Sequence, residues 1–129
     1  MDLETAVKAA LEGVEGLRGH VYTAEALRDE RLFAFYRLRS QDEPETLDGD
    51  SGMPEAELEV HVVADSYRVM AAAAAQAVTA LKALRGRPAG DIFVEKVHVS
   101  QRSPDLKEME VNKYRRMYVL RIAYQEGAK

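Results

Sequence analysis

The sequence predicts an α+β fold in which a mainly antiparallel sheet of about four to five strands packs against two helices. An amphipathic pattern at the N-terminus indicates an N-terminal helix, and an Ala-rich pattern with helical spacing indicates a long central one. Several segments with strand-type alternation, or with many aromatic and β-branched residues, account for the sheet. Their order along the chain (helix, strands, long loop, strand, helix, strand, strand) favours an α+β arrangement.

The N-terminal segment has one apolar side when it is wound as a helix. Its apolar residues recur at steps of three and four: Leu3, Val7, Leu11, Val14 and Leu17. Asp2 can cap this helix, and Glu4 suits the positive end of its dipole. Glycines weaken the C-terminal end, so we expect the helix to stop near residues 16–19 and a short extended piece to follow at residues 20–23.

Two strands and a long acidic loop come next. Residues 31–40 are rich in aromatic side chains and predict a strand. Residues 41–54 carry two prolines, two glycines and several acids, which predicts a long loop of the kind that tends to be functional or mobile. Residues 56–64 alternate between apolar side chains and the polar Glu57, Glu59 and His61, and this pattern predicts a strand with one buried face.

The central helix has the strongest signal in the chain. Six of its residues recur at steps of three and four: Tyr67, Met70, Ala74, Ala77, Leu81 and Leu84. Ser66 can cap the start of this helix, with Asp65 as the competing candidate. Gly86 stops it, and Pro88 follows two residues later.

Two further strands close the fold. In residues 91–101 the apolar positions change parity between Val94 and Val97, and a bulge near residues 95 and 96 would reconcile them. A polar connector, residues 103–112, leads to the last strand, residues 113–124. Both faces of that strand are apolar around its middle, which fits an inner strand covered on both sides. A helix layer could cover one side, and either the N-terminal helix or another subunit the other.

Length and composition limit the classes of protein. With 129 residues the chain has the size of one domain, residues 1–129, and can bury a sufficient core without disulfides. It has no cysteine, which excludes disulfides and thiolate metal sites. Its net charge of −4 argues against a general nucleic-acid-binding protein. The acidic N-terminus is unlike a secretory signal and no run is long enough to span a bilayer, so we expect a soluble intracellular domain.

The acidic turn in the long loop is a weak candidate for a metal or phosphate site. An EF-hand calcium loop needs oxygen ligands at alternate positions and a glutamate at position twelve. Counted from Asp48, the fifth position is Gly52 and the twelfth is Glu59, inside the predicted strand. Both phosphate-binding glycine motifs are missing, and the negative charge opposes phosphate. The favoured interpretation is an ordinary turn, without metal or cofactor.

Histidines and hydroxyl groups give no recognisable catalytic pattern. No pair among His20, His61 and His98 has the i, i+4 spacing of a zinc helix. His61 stands beside two glutamates, so a metal site there is conceivable, but a solvated strand position is the favoured interpretation. The sequence contains no G-x-S-x-G elbow, and we expect a protein that is not an enzyme.

The last strand carries basic and aromatic residues together. The basic residues are Lys113, Arg115, Arg116 and Arg121, and the interleaved tyrosines are Tyr114, Tyr118 and Tyr124. Such a mixture can bind single-stranded nucleic acid. It occurs more often on partly exposed strands whose basic side chains pair with acids across the sheet, and we favour that interpretation.

The order and residue content of these motifs resemble those of a known protein family. After the N-terminal helix, residues 47–52 read LDGDSG, residues 64–67 read ADSY at the start of the Ala-rich helix, and residues 113–124 form the final strand. In this order they resemble the tail-completion (tail-terminator, head–tail joining) proteins of long-tailed bacteriophages and prophages. The resemblance spans nearly the whole chain but includes no catalytic motif.

The resemblance implies a non-enzymatic structural protein of the virion neck. Such proteins form a ring, usually a hexamer, that caps the finished tail tube, ends its polymerisation and joins it to the head connector. The implied partners are further copies of the chain, the tail-tube protein and the head-side connector or stopper protein. Double-stranded DNA would pass through the lumen without sequence-specific binding. Assembly would take place in the host bacterial cytoplasm, without a membrane partner.

On this interpretation two sets of residues carry the function. The long loop becomes an interaction arm or a lumen-facing element whose negative charge keeps DNA phosphates from sticking. Its acidic residues are Asp42, Glu43, Glu45, Asp48 and Asp50. The second apolar face of the last strand becomes a subunit contact, formed by Met117, Val119 and Leu120.

Two alternatives stay open at this point. The chain could be another neck component, such as a head-completion stopper, which sequence separates poorly from a tail terminator. It could also be a small α+β ligand-binding or regulatory domain, which would show an apolar pocket with converging polar groups.

Overall fold

The computed structural model describes residues 3–23, 31–42, 55–89, 92–103, 106–108 and 113–126. Two helices and seven strands lie in these ranges. In chain order they are α1 (Leu3–Glu12), β1 (Val21–Tyr22), β2 (Leu32–Asp42), β3 (Glu55–Ala64), α2 (Tyr67–Lys82), β4 (Pro88–Ala89), β5 (Ile92–Arg102), β6 (Leu106–Glu108) and β7 (Lys113–Glu126). Within these ranges no helix has both the length and the apolar character of a membrane span.

All seven strands belong to one sheet. Its order is β1-β2-β3-β7-β5-β4, and β6 pairs with the beginning of β7. Every pair is antiparallel except the two-residue pair of β1 with β2. The predicted α+β fold with a mainly antiparallel sheet is therefore confirmed. Four long strands form the body of the sheet, and three strands of two or three residues extend it.

Strand β6 corrects one expectation. We expected residues 103–112 to be a polar connector, but Leu106, Lys107 and Glu108 pair with the first residues of β7. A three-residue strand is too short for an alternating pattern to be visible in the sequence. The pairing partner defines it, and that partner is known only from the folded chain.

Both helices pack on one face of the sheet. Leu3, Val7 and Leu11 of α1 join Met70 and Ala74 of α2 in the main core. The same core contains inward side chains of the long strands, among them Ala34, Leu58, Val94 and Leu120. The suggestion that the N-terminal helix covers the far side of β7 is therefore wrong. The apolar residues of α1 pack beside α2, because both helices bury their apolar sides against the same sheet face.

The ends of the helices agree with the capping and glycine signals in the sequence, except that α1 ends earlier than predicted. Ser66 caps α2, and its side chain accepts a hydrogen bond from the Val69 N–H at 3.4 Å. Gly86, with a φ of 76°, ends the turn after α2. Helix α1 ends at Glu12, earlier than expected, since the Gly13 N–H is shared between two carbonyls and a run of turns follows.

The strands contain the predicted bulge and two further irregularities. The register of β5 against β7 shifts between Val94 and Lys96, which confirms the bulge inferred from parity. A second shift brackets Ser100, whose hydroxyl donates to the Val119 carbonyl at 3.0 Å. Strand β2 shifts register after Leu38 and continues to Asp42, so residues 41 and 42 belong to a strand and not to the loop. Pairing with β3, and not local composition, extends it.

Candidate interaction surface

The sheet face opposite the helices is the candidate site, and we call it the second face. Side chains alternate along each strand, so the register of the sheet places every other residue of the long strands there. Its members include Tyr22, Phe33, Phe35, Arg37, Glu55, Glu57, Glu59, His61, Val63, Phe93, Lys96, His98, Arg115, Met117, Val119 and Arg121. In the described parts of the chain, no helix lies on this face.

One end of the second face carries a row of rings. Tyr22 meets Phe33 edge-on with ring centroids 6.4 Å apart, and Phe33 stacks on Phe35 at 6.5 Å. Phe35 stacks on His61 at 4.4 Å with an interplanar angle of 11°. Phe33, Phe35 and Val63 are buried and form a second hydrophobic cluster, separate from the main core. The sheet therefore has apolar packing on both sides, as the pattern of β7 indicates.

The row of rings leads into a charged cluster. His61 Nε2 lies 2.7 Å from Glu59 Oε1, and Arg37 Nη2 lies 3.4 Å from both carboxylate oxygens of Glu59. Burial raises the pKa of Glu59, but the hydrogen bond and charge of His61 and then the charge and hydrogen bond of Arg37 together outweigh it. The pKa of Glu59 thus lies below its ordinary value of 4.5. At neutral pH the cluster holds an ionised carboxylate.

The position of His61 corrects an expectation. A solvated position was favoured, but the residue is only 9% exposed. Its ring lies over Phe35, and its register partner on β7 is Met117. The sequence shows an alternating polar row in β3, but the apolar partners that cover His61 come from β2 and β7. Only the sheet pairing reveals them.

The basic and aromatic residues of β7 do not form one surface. Alternation sends Arg116 and Tyr118 to the helix side, where Arg116 Nη1 contacts the Tyr118 hydroxyl at 3.5 Å. Lys113 is buried and its Nζ donates to Asp65 Oδ1. On the second face, Arg121 Nη1 lies 3.7 Å from Glu55 Oε1, and both side chains are exposed. Ion pairs with acids across or beside the sheet thus account for two of the four basic residues.

The predicted subunit-contact residues lie on different sides of β7. Met117 and Val119 lie on the second face, and Val119 is buried. Leu120 points into the main core and is 0% exposed. Of the acidic loop residues, Asp42 is the last residue of β2 and pairs with Glu55. The remaining four, Glu43, Glu45, Asp48 and Asp50, lie outside the described residues.

Chemically, the second face is suited to packing and charge pairing. The Glu59 carboxylate orients His61, and the ring lies flat against Phe35, so both groups tie β2 to β3.

A surface groove lies on the helix side instead, between the turn after α1 and α2. It is lined by Gly13, Val14, Ala75, Gln76, Thr79 and Ala80, none of which titrates. In the described residues, no group of three or more His, Asp or Glu side chains is placed to hold a metal ion.

Comparison with known proteins gives a likeness of fold. No protein family model and no curated protein matches the sequence. Among solved structures, the chain is similar to a chain of the virion of a native gene transfer agent (GTA) particle. The TM-score is 0.69 at 17% identity, and the alignment covers 95% of this chain and 93% of that chain. The two chains share a fold.

The sequence contained part of the signal for this surface. Phe33 and Phe35 occupy alternate positions of β2, so their common face could be read from parity. Their contact with His61 could not be predicted from the sequence, because it depends on the register of β2 against β3.

Proposed function

We propose that this chain is a structural component of a virion-type particle. The observation that carries the proposal is a fold shared over 95% of the chain with a chain of a GTA virion. The resemblance of its motifs to bacteriophage tail-completion proteins supports the same class, and it comes from the sequence alone. The proposed structural unit is the single domain of residues 1–129, and a main core that runs from Leu3 to Tyr124 supports it.

Within the particle, the proposed role is that of a tail terminator in the neck. The chain forms a ring, a hexamer, that caps the completed tail tube, ends its polymerisation and joins it to the head-side connector. Double-stranded DNA passes through the ring without sequence-specific binding. The protein assembles in the host bacterial cytoplasm and stays in the neck or tail of the virion.

The proposed role is non-enzymatic. Glu59 and His61 are the described groups that most resemble an acid–base pair, and Phe35 and Arg37 hold them in place. The groove beside α2 lies on the other side of the sheet and has no titratable side chain in its lining. A packing role accounts for both features.

Two surfaces would make the contacts of the ring. The acidic segment of residues 42–50 serves as an interaction arm or lumen element, through Asp42, Glu43, Glu45, Asp48 and Asp50. The second face of β7 contributes Met117 and Val119 to a subunit contact, and Leu120 supports the strand from the core side.

Co-assembly with the tail-tube protein of the same particle tests the role. Light scattering gives the mass of the purified chain alone and after mixing, and electron microscopy shows whether tube ends carry a cap. A hexamer-sized species and capped tubes of fixed length are expected. A monomer that ignores the tube protein would contradict the proposal. Binding to the head connector, but not to the tube end, would assign the chain to a stopper instead.

Substitutions in β7 test the subunit contact. We expect both Val119→Asp and Leu120→Asp to break the fold or the oligomer, because each puts a charge into a buried site. Soluble oligomers of normal size from both variants would refute this placement of β7.

Neutralising the five acids of residues 42–50 should reduce the number of joined particles, and unchanged joining would remove the loop from the mechanism.

A further inference from the structure

The outer edge of β5 is open over most of its length. One edge of β5 pairs with β7, and the other pairs with β4 only at Ile92 and Phe93. The turn before β4 adds two backbone hydrogen bonds at Val94. From residue 95 to residue 102, no strand in the described part of the chain pairs with this edge. We call residues 95–102 the β5 edge, which is about 25 Å of strand.

The β5 edge and the adjoining turn carry more basic than acidic side chains: Glu95, which is half-buried, stands among Arg85, Arg87, Lys96 and Arg102. Lys96 and His98 on the strand are exposed, and so are Arg85 and Arg87 of the adjoining turn. The turn is held against the strand by the Arg87 carbonyl, which accepts from the Val94 N–H at 3.1 Å. Open backbone groups and basic side chains thus occur on the same border of the sheet.

The open backbone groups and the basic side chains together favour one kind of binding partner. A lysine and bulges on an edge strand discourage pairing with an apolar strand or with a second copy of the same edge. Two copies of the β5 edge would bring like charges together, which is unfavourable. An extended acidic segment would satisfy both the backbone groups and the charges, as in β-strand addition.

The chain itself contains such a segment. Residues 42–50 have five carboxylates, and no basic residue occurs between positions 42 and 55. Asp42 itself stays paired in β2, and the eight residues that follow it span about 27 Å when extended, which matches the length of the β5 edge. We propose that the β5 edge binds the acidic segment, residues 42–50, of a second copy of this chain.

A second copy, and not the same chain, is the proposed occupant, because the acidic segment starts from Asp42 on β2, which lies three strands away from β5 in the sheet, and the chain must return to Glu55 beside it. The acidic segment and the β5 edge are also different patches of one molecule, so the contact is heterologous. A heterologous contact repeats from copy to copy and closes into a ring when the rotation permits. The inference rests on the proposed ring function and names the surfaces that would build the ring.

Single-cysteine variants test this contact directly, since the natural chain has no cysteine. Full-length Asp48→Cys is mixed with full-length His98→Cys under mild oxidation, so any mixed disulfide joins two copies. Lys8→Cys, on the exposed side of α1, replaces His98→Cys in the matched control. Because a disulfide requires Cα atoms within about 7 Å, we expect at least tenfold more mixed dimer with His98→Cys than with Lys8→Cys.

The double variant Asp48→Cys/His98→Cys separates the two possible occupants. A ladder of cross-linked multimers is the expected result. A monomer with an internal disulfide would overturn the proposal, because the segment would then cover its own edge. Equal cross-linking in the mixture and in the control would overturn it as well.

Charge exchange provides a second readout. Lys96→Glu should lower the oligomer fraction in light scattering at least fivefold, and Asp48→Lys in the same chain should restore it. Oligomers unaffected by Lys96→Glu would overturn the inference. Capped tubes without cross-linking would overturn the β5 contact and leave the neck role intact, whereas cross-linked multimers that ignore the tube protein would support the contact and overturn that role.

Discussion

Truncating Leu120 in the central strand tests the described core most directly. Leu120 is fully buried on the helix side of β7, and its register partners are Leu58 on β3 and Val99 on β5. Leu120→Ala removes three carbon atoms, worth about 2.4 kcal/mol at about 0.8 kcal/mol for each buried methylene. Paired strands on both sides limit collapse of the cavity, so the expected total loss is about 3–4 kcal/mol.

The variant should stay folded in water, so that the loss of stability can be measured by urea unfolding. A domain of 129 residues has a free energy of unfolding of about 6–19 kcal/mol. With a urea m-value of about 2 kcal/mol/M, the unfolding midpoint should fall by about 1.5–2 M at an unchanged m-value. Arg121→Ala is the matched control on the next residue, which is exposed on the other face, and should shift the midpoint by less than about 0.5 M. A similar small shift for Leu120→Ala would refute the placement of Leu120 in the core.

Three further predictions address the second face and the helix and turn ends. The pKa of Glu59 is lowered in the folded chain, so its contribution to stability is present above pH 4.5 and is lost as pH falls through the folded pKa. Glu59→Gln should therefore flatten the acid limb of stability against pH in urea titrations, and a slope equal to wild type would contradict the ion pairing; Glu57→Gln is the control. Ser66→Ala removes the cap of α2 and should cost about 1 kcal/mol in urea unfolding, whereas an unchanged midpoint would argue against the cap. Gly16→Ala should destabilise more than Gly19→Ala: both glycines have positive φ and share a strain of about 1–2 kcal/mol, but a Cβ at Gly16 would lie 2.8 Å from Leu32 Cδ2. Equal losses in thermal unfolding would contradict this ranking and would mean that the Leu32 side chain moves aside without cost.

Much of the fold could be predicted from local patterns. The helical spacing before Gly86, the cap at Ser66 and the parity change after Val94 each involve residues close together in sequence. Periodicity, capping and positive φ depend on neighbouring residues, so these features were correctly predicted. The α+β class follows from the same signals.

The sequence by itself determined the two helices and the four long strands, and which side of α2 and β3 is apolar. Only the tertiary structure decided that α1 lies beside α2 on one sheet face, that residues 106–108 become a strand, and that His61 is buried against Phe35. It also decided which border of β5 stays open. The physical reason is that strand pairing joins segments far apart in the chain. Its register fixes which side chains meet, and no local pattern encodes it.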